Sequence, residues 1–514
     1  MEQQRMLLAV VLSIAILFGY QYFFMPGGVQ PPLDNTTAST AGNKQADTKA
    51  QQAQPALPIV PAAITTSQSV EKDVKVSSDI YTVVLSSKGG TVKSVELKKY
   101  KDADGNNIVL KGETVLPPFA LGLDKGFQLA GADFSVKGAD TVLTHQSGPA
   151  TVVFEYASGG LAVRRTYTFK YGEYGINLRD ETQGMDSYMI TLGKDFGIIE
   201  RDSSIHFGPV VLKDADREEF TAGKIKEPKT FKDGIRWIAQ EDKYFFSSLV
   251  PKSGVQDATV WEKDKDALVA LKMKGGVNDY LLYAGPKDRD QLEKLGLGLE
   301  HIVDFGFFSI IARPFFWVLK LLDTVFHNYG ISIIILTILV RIPFIPLINK
   351  GQASMKRLQE LQPRMTEIKE KYKNDPQRMQ KETMELYKKH KVNPVGGCLP
   401  MLLQIPVFFA LYKVLLIAIE LRGAPFAFWI NDLSQKDPYY VLPVIMGVTM
   451  LIQQKMTPSG VDPMQQKLMM LMPVIFTFMF LTFPSGLVLY WLVSNVLSII
   501  QQYYVNKKTA AQAA

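Results

Sequence analysis

Three textures of apolar and polar positions follow one another along the chain. The first is a continuous apolar run, 7-LLAVVLSIAILFGYQYFF-24, which leads into a stretch rich in Ala, Gln, Pro, Thr and Ser with few aromatics and no period. The run is long for the core of a cleaved signal peptide, and Met25-Pro26-Gly27-Gly28 stands where a small-residue cleavage site would be. Residues 1–25 are therefore expected to form a signal-anchor span that starts inside, and 26–70 a flexible tether too poor in apolar side chains to order itself.

The second texture, over 71–300, alternates with period two. Leu161, Val163, Tyr167 and Phe169 share one face of a strand, and Val152, Phe154 and Tyr156 do the same just before it, with Ser158-Gly159-Gly160 as the turn. The runs 80–87 and 91–99 flank Lys88-Gly89-Gly90 in the same manner. Many short alternating strands with glycine turns predict one large β-sandwich.

In the third texture helical periods and membrane-length runs take over. Residues 301–323 read as an amphipathic helix lying in the membrane interface, with Ser309, Arg313, Lys320 and Asp323 on one face and Pro314 as a break point. Apolar runs at 325–349, 396–418, 439–454, 468–483 and 485–505 predict five further spans, six in all with the anchor. Those at 439–454 and 468–483 reach only about 24 Å as helices, short of a hydrocarbon core of roughly 30 Å, so they would thin the bilayer around them. Between the second and third spans, Met355, Leu358, Leu361, Met365, Ile368 and Tyr372 form a heptad-like seam, Asn374-Asp375-Pro376 stops it, and a second arm follows: a helical hairpin over 350–391.

Charge orients this layout. The chain carries a net +7, and 350–391 alone holds twelve Lys/Arg against six Asp/Glu. The positive-inside rule then places that hairpin and both termini in the cytoplasm. One cysteine, Cys398, excludes an internal disulfide, and five scattered histidines offer no metal-ligand spacing. There is no phosphate-cradling glycine loop, no dinucleotide fingerprint and no nucleophile elbow, and the carboxylates of 71–300 show no catalytic pairing. A non-enzymatic protein without metal or cofactor is expected.

One residue breaks the apolar pattern in the second span. Arg341 stands inside 331-ISIIILTILVRIPFIPLIN-349, and a charge there costs about 2.5–3.5 kcal/mol on insertion scales unless it faces water or a partner. Two readings stay open: a guanidinium snorkelling to the headgroups, or one facing a wet groove. Thr337 shares its helix face, Gln404 lies in the third span, and Trp491, Asn495, Ser498 and Gln502 form a polar stripe on the last, flanked by Tyr490 and Ser494. The same side chains would also serve ordinary interhelical hydrogen bonding.

Four stretches go further: 393-NPVGGCLPMLLQIPVFFALY-412, 421-LRGAPFAFWINDLSQKDPYY-440, 463-PMQQKLMMLMPVIF-476 and 484-PSGLVLYWLVSN-495. Together they closely resemble the YidC-type membrane protein insertases of Gram-negative bacteria, and anchor, β domain and arginine span match in the same order. The resemblance implies a five-helix insertase core enclosing a hydrophilic groove open to cytoplasm and lipid, and a periplasmic β-supersandwich similar to sugar-binding folds. It implies a groove of Arg341, Thr337 and Gln404; with Tyr490, Trp491 and Asn495 of the last span these are the expected groove residues, and Met401, Ile405, Phe408, Met472 and Phe476 the expected slide for clients. Trp491 stands where relatives often have a second tyrosine and brings no hydroxyl. The implied partners are nascent membrane proteins, the Sec translocon, the ribosome with the signal-recognition machinery, and the lipid bilayer, with no specific nucleic acid beyond ribosomal contact. The rivals are a transporter or channel for an anionic solute, an enzyme acting on a sugar through 71–300, and an assembly chaperone without insertase activity.

Overall fold

The structure, a computed structural model, describes residues 71–102, 104–112, 115–199, 205–390, 399–456 and 463–513, which divide into two compact units between Val303 and Asp304. The expected anchor 1–25, the tether 26–70 and Cys398 lie outside the described residues.

The first unit is built from three sheets of five, nine and five strands. The largest runs, edge to edge, through Asp216–Glu219, Gly208–Lys213, Ile235–Glu241, Phe245–Pro251, Val277–Pro286, Gly175–Gln183, Leu161–Phe169, Ala150–Ser158 and Ser135–Lys137. Both hairpins read from the sequence are present: Ser86 pairs with Thr91 across the Gly89-Gly90 turn, and Ser158 with Leu161 across Gly159-Gly160. Those turns need the left-handed backbone that glycine adopts without strain; Gly89 and Gly90 have φ of +69° and +57°. Alternation puts Val163, Tyr167 and Phe169 into the core with Val152 and Phe154.

Arg165 occupies the remaining position on that buried face, fully inaccessible. Its Nε donates to Asp180 Oδ1 at 2.9 Å and its Nη2 to Asp180 Oδ2 at 3.3 Å. Its Nη1 reaches the carbonyls of Phe119 at 2.7 Å and Gly90 at 3.2 Å, so one guanidinium ties the large sheet to the glycine turn and to a neighbouring loop. The Tyr167 hydroxyl also donates to Gly90 O, at 2.7 Å. Burial pushes the Asp180 carboxyl up, and Arg165 pulls it back down.

A second polar cluster sits at the far side of the same sheet. Glu241, nearly inaccessible, forms an ion pair with Lys287 Nζ at 2.8 Å and accepts from Arg217, which also pairs with Glu219. Beside them His206 is buried, its Nδ1 3.8 Å from Glu219. Burial, reinforced by Arg217 and Lys287 and opposed by Glu219 and Glu241, holds the imidazole below its ordinary value of 6.5. A depressed value in the folded state means stability is complete above the unfolded value and lost as pH falls through it. Denaturation of the full chain between about pH 7 and 5 is expected to show the β unit weakening toward the acid side, and His206→Gln to flatten that slope. An unchanged slope in the variant would assign the acid sensitivity to other groups.

The second unit is helical. We label its helices α1 (Ser309–Phe326), α2 (Tyr329–Arg341), α3 (Ile345–Glu360), α4 (Gln362–Lys371), α5 (Pro376–Lys389), α6 (Leu399–Ile417), α7 (Val441–Met456), α8 (Pro463–Phe480) and α9 (Ser485–Ala513). The helix expected over 301–323 starts later, at Ser309, and runs unbroken through Pro314. Pro314 is the sixth residue of the helix, past the first turn, so it forfeits the bond to Ile310 O and the helix continues without it. Ala312, Phe316 and Leu319 are buried, whereas Phe307, Ile310, Trp317, Leu321 and Val325 are exposed. The α1 helix packs against α2 and α6.

The seam expected as one helix is divided at Leu361 into α3 and α4. Leu358 and Leu361 are buried there against Met355, Leu386 and Tyr387, and α4 packs against α5. Asp375 caps α5 by accepting from Arg378 N at 3.0 Å, with Pro376 at the first helical position. Among the described residues one helical stretch, Tyr329–Glu360, is long and apolar enough to cross a membrane; Gln404–Ile417, Val441–Met456 and Met469–Phe480 are shorter apolar helices.

Candidate functional site: a cationic cleft between α2, α6 and α9

The site begins with how α2 is held. Asn328 caps it by accepting from Ile331 N at 3.1 Å and donates its amide to Phe426 O at 2.9 Å. Gly330 sits under the Phe426 ring so closely that a Cβ would lie 2.0 Å from it. The segment 418–440 is in turn fastened to the start of α9: Ser485 donates from N and Oγ to Gln435 O at 2.7 and 2.6 Å, and Gly486 N to Leu433 O at 2.9 Å. Asp437, almost fully buried, organises this segment by accepting from Trp429 Nε1 at 2.9 Å and from Leu442 N at 2.7 Å. Lys320 of α1 pairs with Glu420 at 3.3 Å. One end of the helical unit is thus closed by a connected loop.

At its other end α2 stops at Arg341, and a single 3-10 turn, Ile342–Phe344, leads into α3. Pro343 and Pro346 explain the tightening, since neither supplies an amide hydrogen to the ladder. Arg341 lies half-buried at this joint. Its Nη1 donates to Ser494 O at 3.2 Å, and its Nη2 to Ser498 Oγ at 2.8 Å and Gln501 Oε1 at 3.2 Å. Ser498 Oγ donates its own hydrogen bond to Ser494 O at 2.8 Å. The guanidinium offers donors only, so it turns the Gln501 amide with oxygen inward. The freed NH2 reaches Asn349 Oδ1 at 2.8 Å and Ile345 O at 3.4 Å.

A small, partly open cleft lies beside the guanidinium, lined by Thr337, Arg341, Gln404, Tyr490 and Ser494 together with the apolar Val340, Phe344, Ile348 and Val407, with room for a water molecule. Thr337 presents its face to the cleft while its hydroxyl donates to Ile333 O at 2.6 Å within α2. Four of the residues named from the sequence therefore converge: Arg341, Thr337, Gln404 and Tyr490.

Two do not. Trp491 points into an aromatic cluster, its ring centroid 4.7 Å from Phe408, 4.7 Å from Phe480 and 5.9 Å from Phe476. Asn495 is buried against α7, its amide 3.5 Å from Met446 O and 3.4 Å from Thr449 Oγ1. The reason is rotation at about 100° per residue: the cleft face of α9 is 490, 494, 498 and 501, turned away from the 491, 495, 498, 502 stripe. Ser498 belongs to both. Of the residues that hold the guanidinium, Ser498 and Ser494 belong to or flank the stripe read from the sequence, whereas Gln501 and Asn349 were left out of the site; Gln501 carried a detectable signal, a polar residue at every turn on the face of Tyr490. Among the slide residues, Ile405 and Met472 are exposed apolar side chains, and Phe408 and Phe476 meet through Trp491; the side chain of Met401 lies outside the described residues. Among the described residues no group of His, Cys, Asp and Glu has the arrangement of a metal site.

Taken together, a β-sandwich unit followed in sequence by an apolar helical unit with a cation in a polar cleft defines a class of inner-membrane protein. The family model described as "60Kd inner membrane protein" matches residues 321–512, and that described as "YidC periplasmic domain" matches 73–318. The chain is 43% identical to the membrane protein insertase YidC of Geobacter metallireducens, with 100% of both chains covered, and 41% identical to that of Geotalea daltonii, over 99% of this chain and 100% of that one. A solved structure of an active YidC insertase is 20% identical, with a TM-score of 0.40, covering 85% of this chain and 93% of that one. The chain belongs to the YidC family of membrane protein insertases.

Proposed function

We propose that this protein inserts nascent membrane proteins into the inner membrane through the Arg341 cleft, without a nucleotide and without covalent catalysis. The observation that carries the proposal is a guanidinium half-buried among apolar helices, held by hydroxyl, amide and carbonyl oxygens beside a partly open cleft. A polar flank of the client enters this wet notch from the cytoplasm and crosses only part of the membrane against apolar resistance. The client's apolar segment leaves into lipid past Ile405, Phe408, Met472 and Phe476. Burial of about twenty apolar residues in the hydrocarbon core drives the step.

The reading includes six spans: 1–25, 325–349, 396–418, 439–454, 468–483 and 485–505. Both termini and the 350–391 hairpin lie in the cytoplasm, and α1 lies in the outer interface. The short α7 and α8 would thin the bilayer beside the cleft. The loop 418–440, fastened to α2 and α9, would seal the outer end, which supports a notch over a solute pore. The basic hairpin would meet the ribosome and signal-recognition machinery, and the Sec translocon would share clients with the helical core.

The test is photo-crosslinking to a stalled nascent membrane protein from probes at 337, 404 and 472. Adducts at the first two with the client's polar flank, and at 472 with its apolar segment, are expected. A solute carrier would give flux in reconstituted vesicles and no such adducts.

A further inference from the structure

The clasp around Arg341 has a property that the cleft alone does not explain: every acceptor in it is neutral. Ser494 O, Ser498 Oγ and Gln501 Oε1 take the guanidinium's hydrogens, and among the described residues no carboxylate pairs with it. Neutral acceptors orient a cation without discharging it, so its field stays available to whatever occupies the cleft. Gln501 is the acceptor that is itself tied to a second element. Its oxygen receives Nη2, and its NH2 is anchored on Asn349 Oδ1 at 2.8 Å, on the α3 side of the 3-10 joint. One amide therefore bonds to both sides of the joint, Arg341 on α2 and Asn349 on α3, and points the guanidinium along α9.

From this arrangement we infer that Gln501 is a positioning residue for Arg341, and that its being an amide rather than a carboxylate sets the protein's preference for clients with carboxylate-bearing flanks. The inference rests on the cleft being the client site. Glutamate is nearly isosteric here, would still accept from Nη2, and would pair with the cation internally. Leucine would keep the charge but release its direction and the Asn349 anchor.

The experiment uses the full-length protein in cells depleted of their own insertase. Two versions of one single-span client differ only in an acidic or an amide-neutralised flank, and protease accessibility measures the fraction of flank translocated. Gln501→Glu is expected to lower the acidic-to-neutral insertion ratio about five- to tenfold. Gln501→Leu is expected to lower insertion of both clients while changing the ratio less than about twofold. If both variants move the two clients in the same proportion, Gln501 is a packing residue and the inference is wrong. Should Gln501→Glu fail to accumulate in the membrane, Ser498→Asp places a carboxylate on the other Nη2 acceptor, 2.8 Å away in the parent, and carries the same expectation. Arg341→Ala separates the two levels. If it leaves the ratio unaltered, the cleft is not where flank charge is read; if it lowers the ratio and the carboxylate variants do not, only the role of Gln501 falls.

Discussion

Replacing Arg341 by alanine is expected to lower insertion of clients with acidic flanks tenfold or more while leaving the protein folded. A charge-assisted hydrogen bond from the guanidinium to a client carboxylate is worth about 1.5–3 kcal/mol, and each 1.4 kcal/mol is a factor of about ten. The fold loses little, because the acceptors released on α9 face a cleft roomy enough for water, and Ser494 O keeps the Ser498 hydroxyl at 2.8 Å. Arg341→Lys should fall between, since an ammonium restores the charge but cannot span Ser494 O, Ser498 Oγ and Gln501 Oε1 with one planar fork. Insertion assays after depletion of the parent, with acidic-flank and neutral-flank clients side by side, measure the effect. An arginine-free protein that inserts every client at the parental level would end the electrostatic account.

Why Arg341 could be found from the chain alone, and its partners only in part, has a physical answer. A charge inside an apolar run is costly enough to be conspicuous, so its position needed no coordinates. Its partners lie on another helix more than 150 residues away, and choosing them requires the rotation of α9 to within one side chain. Trp491 and Asn495 made a plausible polar stripe, but polarity does not say whether a side chain faces the cleft, the Phe408–Phe480 aromatics or the α7 backbone. Packing decided that: the Ser485 and Gly486 contacts to 433–435 fix the phase at which α9 starts. The 3-10 joint after Arg341 was foreshadowed by Pro343 and Pro346. The unbroken course of α1 through Pro314 was not, because a proline inside a helix can be accommodated at the loss of one backbone bond, and the local sequence does not say which outcome prevails.

The β unit teaches the converse lesson, and the second large effect follows from it. Alternation over 161–169 marked Leu161, Val163, Tyr167 and Phe169 and passed over Arg165, although period two assigns Arg165 to the same face. The pattern was right and the residue was discounted for its charge. Because that charge is fully buried, Arg165→Ala is expected to destabilise the β unit by about 3–5 kcal/mol, the usual consequence of stranding one member of a buried pair. Asp180 would lose both guanidinium bonds, and the carbonyls of Phe119 and Gly90 a shared donor. Burial already pushes the Asp180 carboxyl up, so without Arg165 it would bind a proton rather than remain charged, and the unit would loosen around the Gly89-Gly90 turn. Replacing both members, Arg165→Met with Asp180→Leu, should cost less than Arg165→Ala alone, because it leaves no charge without a partner, although Phe119 O still loses its Arg165 donor while Gly90 O keeps the Tyr167 hydroxyl. Pulse proteolysis of the full chain in urea, following fragments of 71–303, distinguishes the cases. If Arg165→Ala shifts the midpoint no further than the double replacement does, the pair is not what holds the sheet to the turn. Cleft-dependent insertion should persist in a folded Arg165 variant, since Arg341, Ser498 and Gln501 all belong to the other compact unit.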